Sequence, residues 1–139
     1  MEFWKDPQEA VTAIKTMWEE IGKDEELRPA ARKVNQLIVF DYTQDGPGCA
    51  VWVDCRNDGF TVGSGIPDGV ADLTMTLSAD DAHRSWSNKL NPVMAITLKK
   101  IRIKGSATGL LKLVPKLKKV AVIYNKVLTD LGMADKIMK

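Results

Sequence analysis

The sequence predicts an α+β protein in which five strands are flanked by helices at both ends of the chain. Three observations carry this. Residues 34–42, 49–55 and 70–77 alternate apolar and polar positions and are rich in β-branched or aromatic side chains. Gly-containing turns, Asp45-Gly46-Pro47-Gly48, Asn57-Asp58-Gly59 and Pro67-Asp68-Gly69, separate them. Outside that block, apolar residues recur at helical spacing.

Residues 1–33 read as two helices. Asp6-Pro7-Gln8-Glu9 supplies a capping acid, a proline at the first helical position and a glutamate at the third. Val11, Ile14, Trp18 and Ile21 follow on one face, and Gly22 ends the helix. Asp24 caps a shorter helix with Leu27, Ala30, Ala31 and Val34 on its apolar side. The pair is expected to cover a sheet.

Residues 34–77 read as four strands. They run over Val34 to Tyr42, Cys49 to Cys55, Phe60 to Val62, and Val70 to Leu77. The last carries Ala71, Leu73, Met75 and Leu77 against Asp72, Thr74 and Thr76, the pattern of a sheet with one dry face. Cys49 and Cys55 fall at the two ends of one strand, about 20 Å apart at 3.3 Å per residue. That is beyond disulfide reach, so both are expected as free, small core residues.

Residues 78–114 read as helices and a fifth strand. Ser78 caps a helix with Asp80 and Asp81 in its first turn, where the helix dipole favours acids. Ala82, Trp86 and Leu90 step along it. Asn91-Pro92 starts another helix with Val93, Met94, Ile96 and Leu98, and Ile101 to Lys104 forms the fifth strand. After Gly105 a helix carries Leu110, Leu111, Leu113 and Val114. Pro115 bends the chain, and residues 115–139 hold a final helix over Lys116 to Leu131.

The 139 residues fit one domain over 1–139, with 45% hydrophobic and 27% charged residues, the proportions of an ordinary globular protein. No apolar run is long enough to span a bilayer, and Met1 to Asp6 lacks the pattern of a signal peptide. A cytoplasmic location is expected. The net charge of +2 conceals an asymmetry: residues 1–88 hold 8 Lys/Arg and 16 Asp/Glu (net −8), residues 89–139 hold 12 and 2 (net +10). The basic residues are not interleaved with aromatics and match no nucleic-acid motif, so no nucleic-acid partner is expected.

Enzymatic chemistry finds no foothold. His83 is the single histidine, reads as a surface residue, and has no Gly-x-Ser-x-Gly elbow to pair with. No paired metal-ligand spacing occurs, so no metal and no cofactor are expected. Gly63-Ser64-Gly65 and Gly105-Ser106-Ala107-Thr108-Gly109 lack the Gly-Lys-Ser/Thr of a phosphate loop. What remains is a surplus of apolar helix face: Trp86, Leu90, Met94, Leu98, Leu110, Leu113, Val114 and Leu117. Periodicity alone does not tell a filled core from a hollow one.

Several segments, in this order, resemble the sterol carrier protein type 2 family of lipid-binding domains. They are Trp52-Val53-Asp54 before Asn57-Asp58-Gly59, Ala71-Asp72-Leu73-Thr74-Met75, Lys89-Leu90-Asn91-Pro92, and Ile103-Lys104-Gly105 ahead of Leu110-Leu111-Lys112-Leu113. The likeness spans roughly Leu27 to Leu117. It implies a five-stranded mixed sheet with helices packed on one face and an apolar tunnel between them. It further implies a carrier or accessory protein for a fatty acid, fatty acyl-coenzyme A, sterol-like molecule or other lipid. The ending Lys136-Ile137-Met138-Lys139 is no peroxisomal address and fits a stand-alone prokaryotic member.

By position, Leu73, Met75 and Leu77 would floor the tunnel. Trp86, Leu90, Met94 and Leu98 would wall it, and Leu110, Leu113, Val114 and Leu117 would close it. Met94→Trp would then fill it. Lys112, Lys116, Lys118 and Lys119 are candidates for contact with an anionic membrane surface. The competing expectation is a non-enzymatic module with a filled core that serves an enzyme of lipid or quinone metabolism. Such a module would use its last helix to dock or to form a homodimer, with Leu128 and Leu131 facing out.

Overall fold

The computed structural model describes residues 2–139. Helix α1 (Pro7–Ile21) starts where Asp6 accepts a hydrogen bond from the Glu9 amide, 2.9 Å away. Its inward face is Ala10, Val11, Ala13, Ile14, Met17, Trp18 and Ile21. Helix α2 (Leu27–Arg32) follows, held at its start by the Asp24 carboxylate, which accepts from the amides of Glu26 and Leu27.

The strands are β1 (Leu37–Asp41), β2 (Ala50–Asp54), β3 (Thr61–Ser64), β4 (Leu73–Thr76) and β5 (Arg102–Gly105). They are shorter than the sequence pattern suggested, and β5 sits one residue further on. The sheet order is β3-β2-β1-β4-β5. β1 pairs antiparallel with β2 and parallel with β4, while β2–β3 and β4–β5 are antiparallel. The sheet is therefore mixed. Its parallel pair exists because the segment 65–72 carries the chain from the β3 edge past β2 and β1.

The β2–β3 link is not a two-residue hairpin turn. Residues Arg56–Asp58 form a 3-10 turn in which Asn57 and Asp58 take φ of 56° and 59°. Asn and Asp tolerate that left-handed region better than most residues.

One sheet face holds Ile38, Phe40, Val51, Val53, Leu73 and Met75, which share a single hydrophobic core with the helices. On the other face Trp52 lies over Gly63, where a methyl group would come within 2.2 Å of the indole. Helix α3 (Ala79–Trp86) is capped by the Ser78 hydroxyl, which accepts from the Asp81 amide. Helix α4 (Pro92–Thr97) is capped by Asn91. After β5 come α5 (Thr108–Leu111), a 3-10 turn at Val114–Lys116 containing Pro115, and α6 (Leu117–Asp130). Helix α6 packs against α1 and α3.

His83 corrects the surface reading. Its side chain is fully buried between α3 and α6, with Nδ1 2.7 Å from the Tyr124 hydroxyl and Nε2 2.8 Å from the Lys136 carbonyl. Phe3 and Trp4 pack on its ring. The Lys136 carbonyl can only accept, so Nε2 carries the proton and Nδ1 accepts from Tyr124. Cys49 and Cys55 are free and buried at the two ends of β2.

Candidate functional site

An apolar cavity lies between the sheet and the helices. Its floor is Phe40 and Tyr42 at the end of β1, with Met75 and Leu77 at the end of β4. Trp18 and Ile21 of α1 and Leu27 of α2 stand on one side, and Ala82, Ser85 and Trp86 of α3 on another. Pro92, Ile101 and the segment Leu110, Leu111, Leu113, Val114, Leu117 and Val120 complete the wall. The arrangement follows from periodicity: residues 40 and 42 share a strand face, and residues 82, 85 and 86 share a helix face.

No charged side chain lines the cavity. Trp18, Phe40 and Trp86 form an aromatic cluster with ring centroids 5.5–5.7 Å apart, two of the three pairs edge-on. Such contacts hold the rings in defined orientations. Free space within the cavity is about 60 Å³. That is room for about four water-sized groups, against roughly 300–1,000 Å³ for a typical small-molecule site. The core is therefore neither solid nor an open tunnel.

Four wall residues carry polar atoms that lie behind this carbon surface. Trp18 Nε1, Tyr42 OH, Ser85 Oγ and Trp86 Nε1 are all buried without a hydrogen-bond partner. Burial pushes the Tyr42 phenol well above its ordinary range; the nearby Trp86 N–H only partly offsets this and does not reach hydrogen-bonding geometry. Leaving a buried polar group unpaired costs on the order of 1–3 kcal/mol.

Of the residues expected around a tunnel, the structure brings together Met75, Leu77, Trp86, Leu110, Leu113, Val114 and Leu117. Leu73 is buried in the core at the far end of β4, outside the cavity wall. Leu90 packs half-buried against the core. Met94 and Leu98 are 55% and 58% exposed, so they stand outside the cavity and Met94→Trp would not fill it. The reason is that α4 is apolar all round, and only Ala95 is fully buried. Its spacing carries no sign of which side faces in.

The wall residues that sequence reasoning did not assign to a site are mainly Trp18, Ile21, Leu27, Phe40, Tyr42, Ala82, Ser85 and Pro92. The α1 stripe was legible as apolar; that it would border a cavity was not.

The lysines named for an anionic surface divide into two groups. Lys116 and Lys119 are engaged with Glu26 at 3.0 and 2.9 Å, and Lys119 also with Asp24 at 3.3 Å. Lys112 and Lys118 are exposed. Along α6, Leu128 is fully buried while Leu131 is 36% exposed. Among the described residues no group of three or more His, Cys, Asp or Glu side chains is placed to hold a metal ion. Among the described residues no helix is long and apolar enough to cross a membrane.

Comparison with known proteins places this geometry. Hydroxysteroid dehydrogenase-like protein 2 of Bos taurus is 34% identical over 76 residues, covering 54% of this chain and 18% of the relative. The chain thus matches less than a fifth of that protein's length. Among solved structures, the sterol carrier protein domain 2 of Helicoverpa armigera superposes with a TM-score of 0.60 at 24% identity, over 78% of this chain and 84% of that one. Palmitated SCP2L2 from Aedes aegypti gives 0.57 at 23% identity, over 76% and 91%. These two likenesses show a shared fold. The family model described as the SCP-2 sterol transfer family matches residues 14–131, from the middle of α1 to the end of α6. The chain belongs to that family.

Proposed function

We propose that this protein holds a lipid-like apolar molecule in the cavity between sheet and helices and carries it, without transforming it. The observation that carries this reading is a wall drawn from eight helices and strands of the fold that contains no charged side chain yet does not close on itself. Membership of the SCP-2 sterol transfer family supports it, as does the palmitated Aedes aegypti protein with the same fold. Affinity is no obstacle, since burying a hydrocarbon chain contributes about 0.8 kcal/mol per methylene.

A guest of that size must displace wall side chains. The segment best able to yield is 108–117. It consists of the four-residue α5 and a three-residue 3-10 turn, neither held by a side-chain cap, and Pro115 contributes no amide hydrogen bond. Leu110, Leu111, Leu113 and Val114 hang from this segment into the cavity. Outward movement there enlarges the site without breaking the sheet.

The test is native mass spectrometry of the purified protein with solvent extraction of what accompanies it, then titration with a fluorescent fatty-acid probe. The expected result is a co-purifying lipid or saturable probe uptake. Ala82→Leu, which fills the wall, is expected to lower uptake at least tenfold, on the order of the side chain's lost room, while Met94→Trp leaves it unchanged. A bare protein that takes up no probe would overturn the reading.

A further inference from the structure

We infer that the cavity wall carries a hydrogen-bonding subsite for the uncharged, oxygen-bearing end of its guest, an alcohol or a ketone. The inference rests on the lipid-binding reading above and adds the chemical class of the ligand. Every wall residue with a side-chain nitrogen or oxygen (Trp18, Tyr42, Ser85 and Trp86) leaves that atom buried and unpartnered. Trp18 is 2% exposed, Tyr42 0% and Ser85 6%.

Ser85 is the most telling. A serine or threonine inside a helix ordinarily bonds the carbonyl one turn back. Thr16, Thr97 and Thr129 of this chain do so. Ser85 does not, although it stands on the same α3 face as Ala82 and Trp86.

The chemistry of these groups selects the guest. The two indole N–H groups only donate, and the two hydroxyls donate or accept. Each of them suits a carbonyl or hydroxyl oxygen. An ionised carboxylate placed there would be buried with no cation beside it, since no Lys, Arg or His lines the wall. The existing free space is bordered almost entirely by carbon, so a guest reaches the four polar atoms by widening the cavity.

The experiment is displacement of Nile red by octadecanol, octadecane and stearate above neutral pH, on the wild-type chain and on Tyr42→Phe/Ser85→Ala. Octadecanol is expected to compete about tenfold more tightly than octadecane, as two or so hydrogen bonds allow. The double variant is expected to lose that advantage, and an unchanged far-UV circular dichroism spectrum reports that it is folded. Equal competition by octadecanol and octadecane overturns the subsite, as does an advantage that survives the double variant, or stearate as the tightest ligand. Failure of Nile red and octadecane to bind at all overturns the carrier reading itself.

A separate observation on the surface carries a second proposal: α4 and the strand after it form a docking face for an anionic bilayer. Val93, Met94 and Leu98 are 51%, 55% and 58% exposed on this short helix. Lys89, Lys99 and Lys100 flank it along the chain, Arg102 and Lys104 follow on β5, and all five are exposed. Among the described residues, none of these five lies within salt-bridge distance of a carboxylate. No Asp or Glu occurs anywhere from residue 82 to residue 129.

Exposed aliphatic side chains flanked by unpaired cations match the headgroup region of an anionic bilayer, which attracts cations electrostatically and accepts apolar groups. A nucleic acid would call instead for exposed stacking aromatics, which α4 lacks. The face is continuous with the cavity, since Pro92 at the start of α4 belongs to the wall. Lys99 even adopts a φ of 60°, a conformation glycine would take with less strain.

Co-sedimentation with vesicles of phosphatidylcholine, alone or with about one third phosphatidylglycerol, tests this. Binding is expected only to the anionic vesicles. Lys99→Glu/Lys100→Glu is expected to weaken it at least tenfold, given about 1 kcal/mol per basic residue at such a surface. Met94→Ser/Leu98→Ser weakens it too, and Lys112→Glu/Lys118→Glu changes it less than about twofold. Binding unaffected at α4, an equal loss from the Lys112/Lys118 variant, or capture of an oligonucleotide in preference to vesicles would each overturn the proposal.

Discussion

The Nδ1 atom of His83 accepts a hydrogen bond from the Tyr124 hydroxyl at 2.7 Å, tying α3 to α6. The same ring reaches the Lys136 carbonyl, and Lys136 in turn pairs with Glu9 at the start of α1 at 2.9 Å. One neutral imidazole thus connects three helices and the segment after the last.

That imidazole makes stability depend on pH. Burial holds His83 below its ordinary value of 6.5, against the opposing pull of its bond to the Lys136 carbonyl. The folded chain therefore resists a proton that the unfolded chain accepts. The contribution is complete above about pH 6.5 and is lost as pH falls through the folded value. Urea midpoints at about pH 7.5 and pH 5.5 are expected to fall further for wild type than for His83→Gln. Parallel behaviour of the two would show that His83 does not titrate as argued.

Two glycines are expected to respond unequally to alanine. Gly105 has a φ of 101°, and a methyl group there would meet the Asp72 carbonyl oxygen at 2.1 Å. That obstacle is backbone inside the β4–β5 ladder. Gly63→Ala meets the Trp52 side chain, which can swing away. Gly105→Ala should cost about 2–4 kcal/mol and Gly63→Ala roughly half of that or less. Chemical denaturation of the two variants checks the order.

Tyr42→Phe is expected to leave the protein as stable as wild type or more stable by about 1 kcal/mol, because it removes a buried hydroxyl that has no partner. A loss of 2 kcal/mol or more in the same measurement, on the scale of a broken buried hydrogen bond, would reveal a bond that the geometry does not show.

The two thiols should be inert in the folded state. Burial pushes Cys49 and Cys55 each up to about 11. At around pH 8 almost no thiolate is present, and neither side chain is accessible. Iodoacetamide is expected to leave the native protein unmodified and to label both sites in denaturant, read as mass increments.

Local structure was largely legible in the sequence because it is set by neighbours. Asp6, Asp24, Ser78 and Asn91 all accept from the amides their positions implied. The five strands were legible from alternation, though their ends were not, since Cys49, Cys55 and Ile101 continue the pattern beyond the ladder. The placement of Met94 and Leu98 was not legible. A six-residue helix with apolar side chains on every side has no periodicity to read, and the neighbouring helices decide which side is covered. His83 was hidden for a different reason: its partners, Tyr124 and Lys136, lie 41 and 53 residues away. The cavity depends on the sum of many side-chain shapes, which no local pattern records.

The packing of α1 against α6 has a consequence for the chain as it is made. Between Ile21 and Leu117 lie the whole sheet and four helices, and until α6 emerges the α1 stripe lacks one of its two neighbours. At roughly 5–20 residues per second the wait lasts about 5–20 s, far longer than a helix needs to form. Part of the α1 stripe therefore stays uncovered until synthesis has passed Leu117.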